Sequence, residues 1–247
     1  FSKKDCEMKY LYLIFSSIVI AYFVLLVFIY FYQRNLLYHP SENNYQNDKI
    51  QFSYDEIFIK VEEKIKLKSW IINKNLKKFK TLVFFHGNAG ELSNRIYKLN
   101  ELNKLDINIL LISWRGFSGN EGSPTEDNLY KDAEAAIQWL NNKEVKNNRI
   151  ILYGESLGTG VAVEIGKKNN FNSIILESPF TSMENAAKIY YPYLPVKLLL
   201  KDKYDSLSKI TTIKTPILIM HGKKDDIVPF SMGKELFEKA NHPKHSY

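Results

Sequence analysis

Residues 149–166, RIILYGESLGTGVAVEIG, set a Gly154-Glu155-Ser156-Leu157-Gly158 pattern between two different kinds of apolar run. Arg149–Tyr153 is short, apolar and rich in β-branched residues, and reads as a buried strand; Leu157–Lys168 has the small and apolar spacing of a helix. G-x-S-x-G between a strand and a helix is the pattern of a nucleophile elbow. The serine occupies a tight, strained turn, and the glycines remove side chains that would strike neighbouring backbone. Gly160 and Ala162 continue the helix with small residues, which lets it approach the sheet. A chemically idle Gly-Ser turn would account for the glycines but not for the strand-turn-helix setting, so Ser156 is the expected nucleophile.

The same alternation extends outward from this stretch. Glu56–Val61 and Ile65–Ile72 read as an opening pair of strands. Strands are then expected at Thr81–Phe85, Ile107–Ser113, Ser173–Leu176 and Pro216–Met220, and helices at Glu91–Lys104, Glu126–Asn141 and Ser231–Ala240. Ala133, Ala136, Ile137 and Leu140 share one face of the second of these helices. Short continuous apolar strands alternating with helices predict an α/β domain over 51–247, a mostly parallel sheet with helices on both faces. Ligands of such sheets bind at the carboxyl ends of the strands.

Serine at its ordinary pKa is a poor nucleophile and needs a base and an orienting acid, in this fold in the chain order Ser, acid, His. Asp225, in the loop after Pro216–Met220, stands where the acid belongs, with Asp226 as its rival; an ordinary helix-capping turn would also use such residues. An oxyanion hole requires the backbone N–H of the residue after the nucleophile, Leu157, and one from an early strand's loop, for which Asn88 in His86-Gly87-Asn88-Ala89-Gly90 is the candidate. His86 precedes Ser156 and, like His221, reads as a buttress for its own loop. The base is expected after one more helix and strand. His242 falls at a helix end and His245 at the start of the last strand, both too early. The expectation is therefore a histidine beyond Tyr247, with the chain as given truncated and lacking activity.

At 247 residues and 45% hydrophobic the chain can bury a sizeable core. Its net charge of +7 comes from 34 basic against 27 acidic residues, scattered without a basic block interleaved with aromatics, which argues against a nucleic-acid partner. A single cysteine, Cys6, excludes an intrachain disulfide and multi-cysteine metal sites. No metal site and no phosphate-cradling loop appear, so no cofactor is implied. Nothing in the sequence sets an oligomeric state.

Tyr10–Tyr32 carries no charge, is long enough to cross a bilayer and has aromatic residues at both ends. The run exceeds a signal-peptide core and no small-x-small cleavage site follows, so 10–32 is expected to be an uncleaved single-pass anchor, joined by a linker over 33–50. Lys3, Lys4 and Lys9 against Arg34 lean toward a cytoplasmic amino terminus and an external catalytic domain; a start at Met8 would remove two of those lysines. Ile189–Leu200, IYYPYLPVKLLL, predicts a short lid around 189–209 over the carboxyl edge of the sheet or, equally, added packing on the core.

HGNAGE (86–91), WRGFSGNEGSPTE (114–126), GESLGTGVA (154–162), ESPFTSM (177–183) and HGKKDDIVP (221–229) occur in an order that resembles the Bem46 or ABHD13/ABHD17-like branch of the α/β-hydrolase superfamily. The likeness runs from about Gln33 to the end and includes QRNLLYHP (33–40) after the apolar segment. It implies a serine hydrolase with Ser156 as nucleophile and Asp225 as acid, and a substrate that is a small-molecule or lipid-like acyl ester or thioester. It also implies that Arg115-Gly116 and Glu177-Ser178-Pro179 shape the site. The alternative expectation is a non-catalytic, membrane-tethered scaffold or binding protein of the same fold.

Overall fold

The computed structural model describes residues 3–41 and 50–247, with the backbone alone for residues 3–6. In chain order it comprises α1 (Lys3–Leu37), β1 (His39–Pro40), β2 (Asp55–Lys60), β3 (Lys66–Ile72), β4 (Lys80–Phe85), β5 (Ala89–Gly90), α2 (Ile96–Leu102), β6 (Ile107–Ile112) and α3 (Glu126–Asn141). Then follow β7 (Ile150–Glu155), α4 (Leu157–Lys168), β8 (Ser173–Glu177), α5 (Met183–Tyr190), α6 (Val196–Leu199), α7 (Ser206–Ile210), β9 (Ile217–Met220), α8 (Phe230–Lys239) and β10 (Lys244–Ser246).

Eight strands form one sheet in the order β10-β9-β8-β7-β4-β6-β3-β2. β2 and β3 join it antiparallel, and every other pairing is parallel. Successive strand residues point to opposite faces. Val83, Phe85, Leu110 and Leu152 therefore meet Ala133, Leu140, Val161 and Leu236 on one side, while Leu82, Phe84, Ile109 and Leu111 meet Ile96 and Leu99 on the other. Both faces are covered, which is why the central strands are unbroken apolar runs.

The helix expected at Glu91–Lys104 opens with a 3-10 turn over Leu92–Arg95, because the Glu91 N–H is taken by the Asn94 side chain at 2.7 Å. α1 continues past the apolar run to Leu37, and β1 then pairs in parallel with β5 in a separate two-stranded sheet. Of the span expected as a linker, residues 42–49 lie outside the described residues. Glu7–Leu37 is long and apolar enough to cross a membrane, and none of its most apolar window is buried.

Candidate active site

Ser156 sits between β7 and α4 with φ +51° and ψ −116°, a conformation side chains other than glycine seldom adopt. Such a residue stores strain of about 1–3 kcal/mol that the surroundings must hold in place. Its N–H donates to the Glu177 carbonyl at 2.9 Å, and its carbonyl accepts from Thr159 N–H at 2.9 Å and Thr159 Oγ1 at 2.6 Å. The flanking glycines are there for room. A Cβ on Gly158 would lie 2.0 Å from the Phe85 carbonyl oxygen, and one on Gly154 would lie 2.5 Å from the Gly158 carbonyl oxygen.

The loop after β4 faces this turn: a Cβ added to Gly87 would lie 3.6 Å from Ser156 Cβ. His86 is buried, with Nδ1–H donating to Gly87 O at 2.8 Å and Nε2 accepting from Trp114 N–H at 3.4 Å. Trp114 Nε1–H returns a bond to the His86 carbonyl at 3.0 Å. Burial, and then the positive charge of Arg95, lower the His86 pKa to about 3, so the ring is neutral and braces the loop. The Asn88 side chain is committed elsewhere: Nδ2 donates to the Leu37 carbonyl at the end of α1 at 2.7 Å, and the Asn88 carbonyl accepts from His39 N–H at 2.8 Å. Asn88, Ser156 and Leu157 line one cavity.

Asp225 lies in the β9–α8 loop. β8 separates β9 from β7, and the register sets Glu155, Glu177 and Met220 level at the carboxyl edge. Its Oδ1 accepts from Ile227 N–H at 2.9 Å and Val228 N–H at 2.8 Å. Burial pushes this carboxyl up, but the Val228 amide, the Ser178 hydroxyl and the Ile227 amide outweigh it and hold the pKa below the ordinary carboxylate value. Ser178 is a partner that reading the chain misses; its φ of +49° turns it beside the last residue of β8. At Asp226 the backbone carbonyl accepts from the Tyr190 hydroxyl at 3.0 Å.

His221 Nε2–H donates to the Val228 carbonyl at 2.8 Å and lies 3.6 Å from Asp225 Oδ2, so it ties the Asp225 loop to the end of β9. His245 pairs with Leu218 in the middle of β9, and His242 precedes β10 at the opposite end of the sheet from Ser156. The backbone of the last strand reaches the carboxyl edge at Tyr247, whose carbonyl accepts from His221 N–H at 3.1 Å.

Two ion networks brace the neighbouring strand ends. Lys98 Nζ lies 2.6 Å from Glu177 Oε2 and 3.6 Å from Glu155 Oε1, and Arg95 Nε 3.1 Å from Glu155 Oε2; the Tyr153 hydroxyl also bonds Glu177. Arg115, in the loop after β6, donates twice to the fully buried Asp132 Oδ1, at 2.8 Å and 2.6 Å. Above Ser156 lies a largely apolar cavity of about 400 Å³, covered by Met183, Ala187 and Tyr190 of α5, by Leu194 and Val196, and by residues of α1. The part played by α1 leaves no trace in sequence periodicity, since its contacts are some 166–168 residues away along the chain.

Comparison with known proteins agrees with this architecture. The model of the prolyl oligopeptidase family matches residues 121–246. An uncharacterised protein of Mycobacterium tuberculosis is 33% identical over 222 residues, covering 89% of this chain and 79% of that one. Protein bem46 of Schizosaccharomyces pombe is 29% identical over 221 residues, covering 83% and 74%. The solved structure of the esterase Pf2001 from Pyrococcus furiosus superposes with a TM-score of 0.68 at 22% identity, covering 85% of this chain and 87% of that one, a likeness of fold.

Proposed function

The chain belongs to the Bem46-like branch of the α/β-hydrolase superfamily, and from that premise we propose a membrane-anchored serine hydrolase that cleaves an acyl ester or thioester through an acyl-enzyme on Ser156. The observation that carries this reading is the strained Ser156 turn at the floor of an apolar cavity, opposite the Gly87-Asn88 loop. Ser156 Oγ attacks the carbonyl carbon, and the N–H groups of Leu157 and Asn88 stabilise the oxyanion. The ester or thioester bond breaks, the alcohol or thiol leaves with a proton from the base, and water then attacks the acyl-serine. Asp225, held ionised, orients the base. We assign that base to a histidine, in the chain order Ser, acid, His that this fold uses. α1 supplies the anchor, and residues 189–209 the lid.

The test uses the full-length gene product in membranes. A fluorophosphonate probe should label it and a short-chain p-nitrophenyl ester should be hydrolysed. Ser156→Ala should abolish labelling and lower turnover by at least ~10³-fold, with Asp225→Asn down by about 10²–10⁴. Labelling that survives Ser156→Ala would exclude this nucleophile; a folded wild type that neither labels nor turns over would make the protein a scaffold.

A further inference from the structure

The cavity over Ser156 is walled on its outer side by α1 itself, through Leu25 and Ile29, which face Ala187, Leu194 and Phe180 across it. A lone anchor would need no such seat, yet the carboxyl-terminal half of α1 is held there. The Tyr22 hydroxyl donates to the Tyr193 carbonyl at 2.7 Å; Gln33 donates to the Leu199 carbonyl at 2.9 Å and accepts from Lys201 N–H at 2.8 Å; Arg34 pairs with Asp202 at 2.9 Å. Tyr22 and Arg34 are about 18 Å apart along a helix. These contacts, with Leu25 and Ile29 lining the cavity between them, place the lid beside α1 from Tyr22 to Arg34. The charged pair among the lining residues, Arg34 and Asp202, is satisfied internally, which leaves the cavity apolar. Lid residues Tyr191, Tyr193 and Leu198 are exposed, as are α1 side chains such as Phe23, Val24 and Phe31. A face of this kind is covered by hydrocarbon if the helix lies in a bilayer.

We infer that α1 is the outer wall of an acyl-chain pocket, that Leu25 and Ile29 select which chains reach Ser156, and that the occupant is the hydrocarbon chain of a membrane-resident ester or thioester entering from the bilayer. This rests on Ser156 being the nucleophile. A chain that moves sideways from lipid into the cavity never exposes its methylenes to water, so the pocket needs no aqueous mouth wide enough to admit it.

The probes are two alkyl fluorophosphonates, one with an ethyl and one with a dodecyl chain, applied to full-length protein in phosphatidylcholine vesicles. Leu25→Trp and Ile29→Trp should lower the ratio of dodecyl to ethyl labelling rates by about tenfold, the worth of about two methylenes of chain contact. Val24→Trp, on the exposed side of α1 and outside the cavity lining, should leave the ratio unchanged. Leu25→Ala serves as the second variant and should shift the ratio toward bulkier chains. Wild type labelled by both probes, with the ratio unmoved in the Leu25 and Ile29 variants, would overturn this inference alone. Wild type labelled by neither would overturn the serine reading and this inference with it.

Discussion

At the residue scale the elbow is a problem of space. Gly154, Ser156 and Gly158 form a pattern in which each member has a separate physical reason: Ser156 carries the positive φ, and the two glycines clear the backbone that the turn crosses. Because a methyl on Gly158 would land within 2.0 Å of a strand carbonyl, something must move. Gly158→Ala should destabilise the fold by about 1–3 kcal/mol, read as a lower urea midpoint, and should slow labelling of Ser156. His86 provides a second residue-scale test. Its folded pKa of about 3 lies below the unfolded value near 6.5, so below pH 6.5 the unfolded chain binds a proton that the folded chain refuses. Its contribution to stability is full above pH 6.5 and is lost as pH falls toward 3. By pH 5 the loss should reach about 2 kcal/mol in wild type, and the urea midpoints of His86→Gln at pH 7 and pH 5 should differ less. The strand-turn-helix pattern around Ser156 was legible here from spacing alone, whereas the Ser178 hydroxyl on Asp225 was not, since it comes from a different strand end.

At the element scale the periodic runs located the central strands and helices to within a residue or two, because a strand buried on both faces has to be apolar throughout. Where the chain departs from periodic expectation, a side chain is the cause: Asn94 turns the start of the second helix into 3-10 geometry. The end of α1 is fixed by Asp202, a buried carboxylate that accepts from Arg34 Nε at 2.9 Å, Arg34 Nη2 at 3.1 Å, Tyr38 Oη at 3.3 Å and Glu126 N–H at 3.1 Å. Arg34→Ala leaves that carboxylate short of its charged partner. It should cost about 1–3 kcal/mol in thermal unfolding and expose the 37–41 segment to limited proteolysis, because β1 and the Asn88–Leu37 bond anchor the same stretch.

At the scale of the whole molecule, one sheet brings three loops from distant parts of the chain to a single edge: Gly87-Asn88 after β4, Ser156 after β7 and Asp225 after β9. α1 lines the cavity as well and bonds both the loop after β4, through Asn88, and the segment after α6, through Leu199 and Asp202. The sequence by itself determined the α/β class, the strand-turn-helix around Ser156 and the apolar segment, because each of these is written in the spacing and steric demand of residues close together in the chain. Only the tertiary structure decided that the Asn88 side chain is tied to the Leu37 carbonyl, that Ser178 steadies Asp225, and that the apolar helix lines the cavity with the serine. Those contacts join residues far apart in the chain, and packing, which no local periodicity records, is what brings them within hydrogen-bonding reach.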